Sequence, residues 1–192
     1  PNNRYLNEII TRGEVPITSM GSTASPEVIK PSRLIDWIRL DGAQVTRPSI
    51  DPYRESINTE FYIAGGRIKL PMPVLIDVSS EQNDVKEALY WASMFTGNHI
   101  KYGTEFDEGL NGIVINPGKC QEIRLSDMDI ELKKYGIRYN FDLIAYIDRF
   151  RNTGDIIKYI ALCADAVILN GSVFTEALNN NHSNLNEKAL NF

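Results

Sequence analysis

The chain has 192 residues, of which 43% are hydrophobic and 23% charged, a balance that supports one globular domain with a substantial core. A net charge of −5 and a pI near 5.1 leave no basic block to grip phosphate backbones, so nucleic acid is not an expected partner. No run approaches the roughly 20 apolar residues that cross a bilayer, and the start PNNRYLNEII lacks a signal-peptide pattern. The expectation is a cytoplasmic protein with no membrane partner.

In chain order, residues 1–58 read as an extended, proline-rich arm. Pro1, Pro16, Pro26, Pro31, Pro48 and Pro52 punctuate short apolar pieces, and only Arg33–Leu40 is long enough for two helical turns. Proline fixes φ and removes a donor, so such a stretch should run over the surface of something else. Residues 59–180 then alternate. Phe61–Ala64 and Arg67–Leu70 flank Gly65-Gly66 and predict a hairpin, because two glycines supply the positive φ a tight turn needs. Pro73–Val78 predicts a buried strand. Glu81–Phe95 carries Val85, Ala88, Leu89, Ala92 and Phe95 at helical spacing, which predicts a helix ending near Gly97.

His99–Tyr102, Gly112–Asn116, Phe141–Ile147 and Ala166–Leu169 read as further strands. Ser126–Tyr135, Gly154–Cys163 and a short segment from Ser172 read as helices, the second with Ile156, Ile157, Ile160 and Ala161 on one face. The β-α-β-α alternation predicts an α/β fold with a parallel sheet. A complete eight-fold barrel typically takes about 250 residues; what remains after the arm suffices for roughly five strands. Residues 181–192, rich in asparagine, predict a frayed tail or a short terminal helix.

Few residues invite chemistry on spacing alone. Cys120 and Cys163 are far apart, and His99 and His182 join no carboxylates at ligand spacing, so no metal site is expected. Cys163 lies in IALCADAVIL, where a small buried thiol is the plain reading. Ser80 reads as the N-cap of the helix after the first strand, and Ser172 as the N-cap after Asn170-Gly171. Lys119 follows Pro117-Gly118 and reads as a solvated turn residue.

Three stretches resemble the large-subunit flavin-binding domain of glutamate synthase, especially its short archaeal-type form. They are PITSMGS with RLIDWIRLDGAQVTRPSIDPYRE, then IKLPMPVLIDVSSEQNDVKEALYWASMFTG, then IDRFRNTGDIIKYIALCADAVILNGSVFTEAL. The resemblance implies a partial or shortened (β/α) TIM-barrel-like sheet behind the arm. It also implies an FMN-dependent oxidoreductase subunit forming glutamate from 2-oxoglutarate and ammonia. FMN would rest near Ser79 and Ser80, and its phosphate would meet Arg151, Asn170, Gly171 and Ser172. Lys119 would be the catalytic cation that polarises the keto acid.

The chain also departs from the family. The phosphate loop, Gly-Gly, an apolar residue, Arg-Thr-Gly, one residue and Asp, is here Asp148, Arg149, Phe150, Arg151, Asn152, Thr153, Gly154 and Asp155. Both glycines are replaced, and Asp148 sets a negative charge beside an anion. The turn Gly-Glu-Gly-Gly is thinned to Tyr102-Gly103-Thr104-Glu105 and a later Glu108-Gly109. Two cysteines cannot supply the family's iron–sulfur ligands. A second reading therefore stands beside the first: a non-catalytic descendant acting as a binding, regulatory or structural subunit. Either way the resemblance implies assembly, with a second copy or with other glutamate synthase subunits.

Overall fold

The computed structural model describes residues 4–13, 33–38, 58–97, 99–101 and 112–192. The quoted motifs within 14–32, 39–57 and 102–111 lie outside the described residues. The first element is a helix, α1 (Arg4–Arg12), and the next a single 3-10 turn, Leu34–Trp37. A hairpin follows, β1 (Phe61–Ile63) and β2 (Ile68–Leu70), paired Phe61 to Leu70 around a turn in which Ala64, Gly65 and Gly66 all have positive φ. Then come β3 (Val74–Asp77), α2 (Asn83–Thr96), β4 (His99–Lys101) and β5 (Gly112–Ile115). The chain continues through α3 (Gln121–Lys134), β6 (Asp142–Ile147), α4 (Thr153–Ala161), β7 (Ala166–Asn170), α5 (Ser172–Leu178) and α6 (Leu185–Asn191).

β3 to β7 form one parallel sheet in the order β4-β3-β7-β6-β5. The last strand lies against the first, and each other neighbouring pair is consecutive in the chain. Among the described residues the break in that cyclic order falls between β4 and β5. This mixed α/β arrangement is compatible with a partial barrel opened at that point, and its five parallel strands match the number expected from the sequence.

Alternation in the strands divides two apolar layers. Leu143, Ala145, Ile147, Val167 and Leu169 pack against the helices. Leu75, Ile144, Ala166 and Ile168 face the opposite way, onto Ile63 and Leu70 of the hairpin. The Asp142 carboxylate accepts the Ala64 N–H at 2.7 Å, fixing the hairpin to the amino end of β6. The functional consequence is that one sheet face is plugged at its amino end, leaving the carboxyl ends of the strands to meet the loops.

Residues 1–58 are not extended throughout: Arg4–Arg12 is helical, with Leu6 and Ile10 buried and Ile9 packed on the core. Their i, i+3, i+4 spacing was visible, but the density of prolines after residue 15 obscured it. Within Arg33–Leu40, the one arm segment long enough for two helical turns, the described residues 33–38 contain the 3-10 turn Leu34–Trp37. Of the two outcomes expected for residues 181–192, a frayed tail or a short terminal helix, the helix forms: α6 packs on α1 and α2 and buries Ala189 and Lys188.

The α4 face is also turned from the one predicted. Asp155 and Tyr159 are buried, Ile156 and Ile160 partly so, while Ile157 is 53% exposed and Ala161 is exposed. Hydrogen bonds draw the two polar side chains inward, as described below, and they outweigh the apolar periodicity. Likewise, α2 begins at Asn83 with Gln82 in the N-cap position, so Ser80 is not its cap. Cys163 is half-buried with φ +76°, and burial, then Asp129, push its thiol pKa up.

The amino ends of β6 and β7 are held by Arg138. Its guanidinium donates to Asp129 and Asp165, both at 2.8 Å, and to the Phe141 and Cys163 carbonyls at 2.9 and 3.1 Å. Asp129 also takes Lys133 at 2.6 Å, and Asp165 takes the Leu143 N–H at 2.7 Å. Burial works against ionisation of Asp129, but Lys133, Arg138 and the Cys163 thiol outweigh it and hold its carboxyl below the ordinary range.

Two predictions arise from this packing. Ile10→Ala removes a side chain with no exposure and should cost about 2–5 kcal/mol in urea titration if α1 belongs to the cooperative core. Because the Asp129 pKa is depressed in the folded state, its contribution is present above the unfolded value of about 3.9 and is lost as pH falls through the folded value. Asp129→Asn should therefore be less stable than the parent at pH 7, with the gap closing as the solution is acidified below about pH 4, as read from unfolding midpoints.

Candidate functional site

In parallel α/β folds ligands gather at the carboxyl ends of the strands. Here β3 and β7 place Asp77 beside Asn170 in register. This brings together Ser79, Ser80, Asn170, Gly171 and Ser172 from the candidate set, with Arg151 on the loop after β6 and Lys119 on the loop after β5.

Gly171 has a packing reason. A Cβ built on it would lie 2.7 Å from the Asp77 carbonyl oxygen and 3.0 Å from Glu81 Cγ, and its N–H donates to that same carbonyl at 2.8 Å. The residue allows the two strand ends to touch. Gly171, not Ser172, is in the N-cap position of α5, and the Ser172 N–H donates to Asn170 Oδ1 at 3.0 Å. Asn170 Nδ2 in turn donates to Asp148 at 3.1 Å. The Ser79 N–H reaches Asp77 Oδ1 at 3.0 Å, and its hydroxyl makes a very short bond to the same oxygen. Ser80 Oγ donates to Glu81 at 3.4 Å, while the other Glu81 oxygen accepts the Thr175 hydroxyl.

The electrostatics are negative. Tyr146 donates to Asp77 Oδ2 at 3.2 Å, and burial, then the charges of Asp77, Asp148 and Glu81, push its pKa up to about 12. Three carboxylates thus act on one phenol at the strand ends. An anionic phosphate placed here would meet like charge, and the Gly171 and Ser172 N–H groups are already bonded within the chain.

Arg151 faces elsewhere. Its guanidinium pairs with Asp155 at 3.2 Å and makes a very short contact with Asp36 of the 3-10 turn. Arg33 spans the same two carboxylates, at 3.4 Å to Asp36 and 3.2 Å to Asp155. Asp36 and Asp155 side chains are only 3% and 2% exposed. Burial opposes ionisation of Asp36, but the Arg33 N–H and Arg151 hold its carboxyl below the usual range.

Lys119 is exposed on the β5–α3 loop. The buried group at that strand end is Gln121. Its Nε2 donates to the carbonyls of Ile115 at 2.9 Å and Tyr146 at 2.7 Å, and its Oε1 accepts Tyr159 OH at 3.2 Å. Tyr159 also reaches Glu122 at 3.3 Å, and burial followed by the Glu122 charge raises its pKa. Sequence reasoning missed Asp77, Glu81, Tyr146 and Gln121. Only the inward alternation of Tyr146 with Ile144 and Asp142 pointed to one of them.

An FMN phosphate needs donors and positive potential at these strand ends. The residues present do not fit it: the Asn170-Gly171-Ser172 turn is bonded to itself and to β3, the neighbouring side chains are acidic, and Arg151 is paired with two aspartates. Among the described residues no group of three potential metal ligands is assembled, and no helix is long and apolar enough to cross a membrane.

No curated protein and no solved structure matches the chain. The family described as glutamate synthase central domain matches residues 2–81, which take in the arm, the hairpin and β3 but less than half of the chain. The sequence pointed to the flavin-binding domain of that enzyme, and the domain that matches is its central one. The resemblance read from the arm and first strand thus holds at the level of the family over residues 2–81, which are similar to the glutamate synthase central domain.

Proposed function

We propose that this chain is a non-catalytic, glutamate synthase-related domain that acts as a structural or binding module in a larger assembly. The observation that carries this reading is the state of the strand ends. Asp77, Ser79, Asn170, Gly171 and Ser172 bond to one another or to adjoining residues, in the field of three carboxylates. Catalysis by a bound flavin would ask the protein for a phosphate cradle and a cation near the keto acid. The exposed Lys119 and the engaged Arg151 make poor candidates for either duty.

Assembly is supported by the opposite kind of surface. The cyclic strand order is broken between β4 and β5. On α2, beside β4, Trp91 and Phe95 stack at 5.7 Å with 42% and 74% exposure, next to Met94 at 70%. Apolar side chains clustered this way favour contact with another protein surface. The cover would be a second copy or another subunit of the glutamate synthase type.

The test is an FMN titration of the full chain, followed by flavin fluorescence and equilibrium dialysis. No saturable binding is expected. A yellow complex of unit stoichiometry would sink the proposal and return the chain to the FMN-dependent oxidoreductase reading, with glutamate formation from 2-oxoglutarate and ammonia then to be assayed. Lys119→Ala should move stability by no more than about 0.5 kcal/mol, the range of exposed positions; a larger loss in denaturant titration contradicts a solvated role.

A further inference from the structure

The 3-10 turn is held in an unusual way. Of its four residues only Ile35 is fully buried, whereas Leu34 is 40% and Trp37 69% exposed. The remaining attachments are polar and cross a long sequence separation. Arg33 reaches the Arg149 carbonyl at 2.8 Å and Asp155 at 3.2 Å, Lys158 reaches the Ile35 carbonyl at 3.0 Å, and Asp36 pairs with Arg151. Among the described residues two arginines and two nearly buried aspartates form a quartet in which every member contacts partners of opposite charge. All these contacts fall on the β6–α4 loop and the first turns of α4, at the carboxyl end of the sheet.

Such a quartet is not strongly stabilising. Desolvating the two carboxylates offsets much of the Coulombic gain, so the docked state has little surplus. Arg33 and Asp36 lie on the turn and Arg151 and Asp155 on the loop and α4, so undocking the turn leaves one ion pair on each side and parts the cross-contacts together. With Ile35 as its buried apolar anchor among the described residues and polar cross-contacts that part together, the turn has the makings of a small cooperative unit of its own.

We propose that Arg33–Trp37 is a strap which opens as a unit from the β6–α4 loop without unfolding the sheet, uncovering Arg151, Asp155 and the socket of Ile35. This goes beyond the proposed scaffold role, since it concerns when that loop is accessible and stands whether or not flavin binds. Arg151 is then a positioning residue for the strap.

Amide hydrogen exchange on the full chain tests it. The reporters are Asp36 N–H, bonded to the Arg33 carbonyl, and Ile38 N–H, bonded to the Ile35 carbonyl, with Val167 N–H of the central strand as the reference for the sheet. In the wild type the two strap amides should exchange faster than Val167, and faster still in about 1 M salt, where the Debye length is about 3 Å. Asp36→Asn and Arg151→Gln should each accelerate the strap amides at least about tenfold with Val167 unchanged, and the double variant should add little, because both break the same unit. The proposal is overturned if strap and sheet amides exchange at one rate, if neither substitution alters the strap, or if Asp36→Asn deprotects Val167 as well.

Discussion

Strand β7 is the constraint on which the rest of the molecule hangs. It is bonded on one side to β3 and on the other to β6, and Ala166, Val167 and Ile168 have no exposure. A strand closed off on both edges and both faces must be apolar without alternation, which is what AVIL supplies. Each fully buried Val or Ile contributes about 1.5–3 kcal/mol, so this short strand anchors both layers. It also brings the last strand against the first, and so sets Asn170 beside Asp77. The chemistry available at that end follows from this juxtaposition.

Among the described residues, what gathers there is bonded to its own strand ends. The close approach at Gly171 leaves no room for a Cβ, and the same approach gives its N–H to the Asp77 carbonyl. Where a flavin barrel turns glycines and N–H groups outward to an anion, this chain turns them inward to its own strand end and surrounds them with carboxylates. A glycine in a strand-to-helix turn is therefore an ambiguous sign of ligand binding. Its reason here is the contact between β3 and β7.

The charged residues do a second job, that of attaching distant segments. Arg138 ties the start of β6 to α3 through Asp129 and to the start of β7 through Asp165. Arg151 and Arg33 bind the 3-10 turn to α4 through Asp36 and Asp155. In both places a nearly buried aspartate has more than one cationic partner, which keeps the desolvated charge from being left alone. The difference lies in the surroundings. The Arg138 side chain is 13% exposed, whereas Arg33 and Arg151 of the quartet are 28% and 39% exposed and border solvent.

Local pattern determined the regular elements: the Gly65-Gly66 hairpin, α2 with its Gly97 cap, the apolar strands and their number are all written in short windows of sequence. The likeness to glutamate synthase was also legible there, because so long a proline-punctuated sequence as that before residue 58 has few physical reasons to recur. The structure alone decided the order β4-β3-β7-β6-β5, the rotation of α4 that buries Asp155 and Tyr159, and the docking of α1 on α6. It also decided what Arg151 and Gly171 are for. Each of these depends on a partner far along the chain, with 115 residues separating Arg151 from Asp36. Periodicity and propensity are local energies, whereas burial of a charge is favourable only when its counter-charge arrives from elsewhere, and that meeting exists only once the sheet has closed.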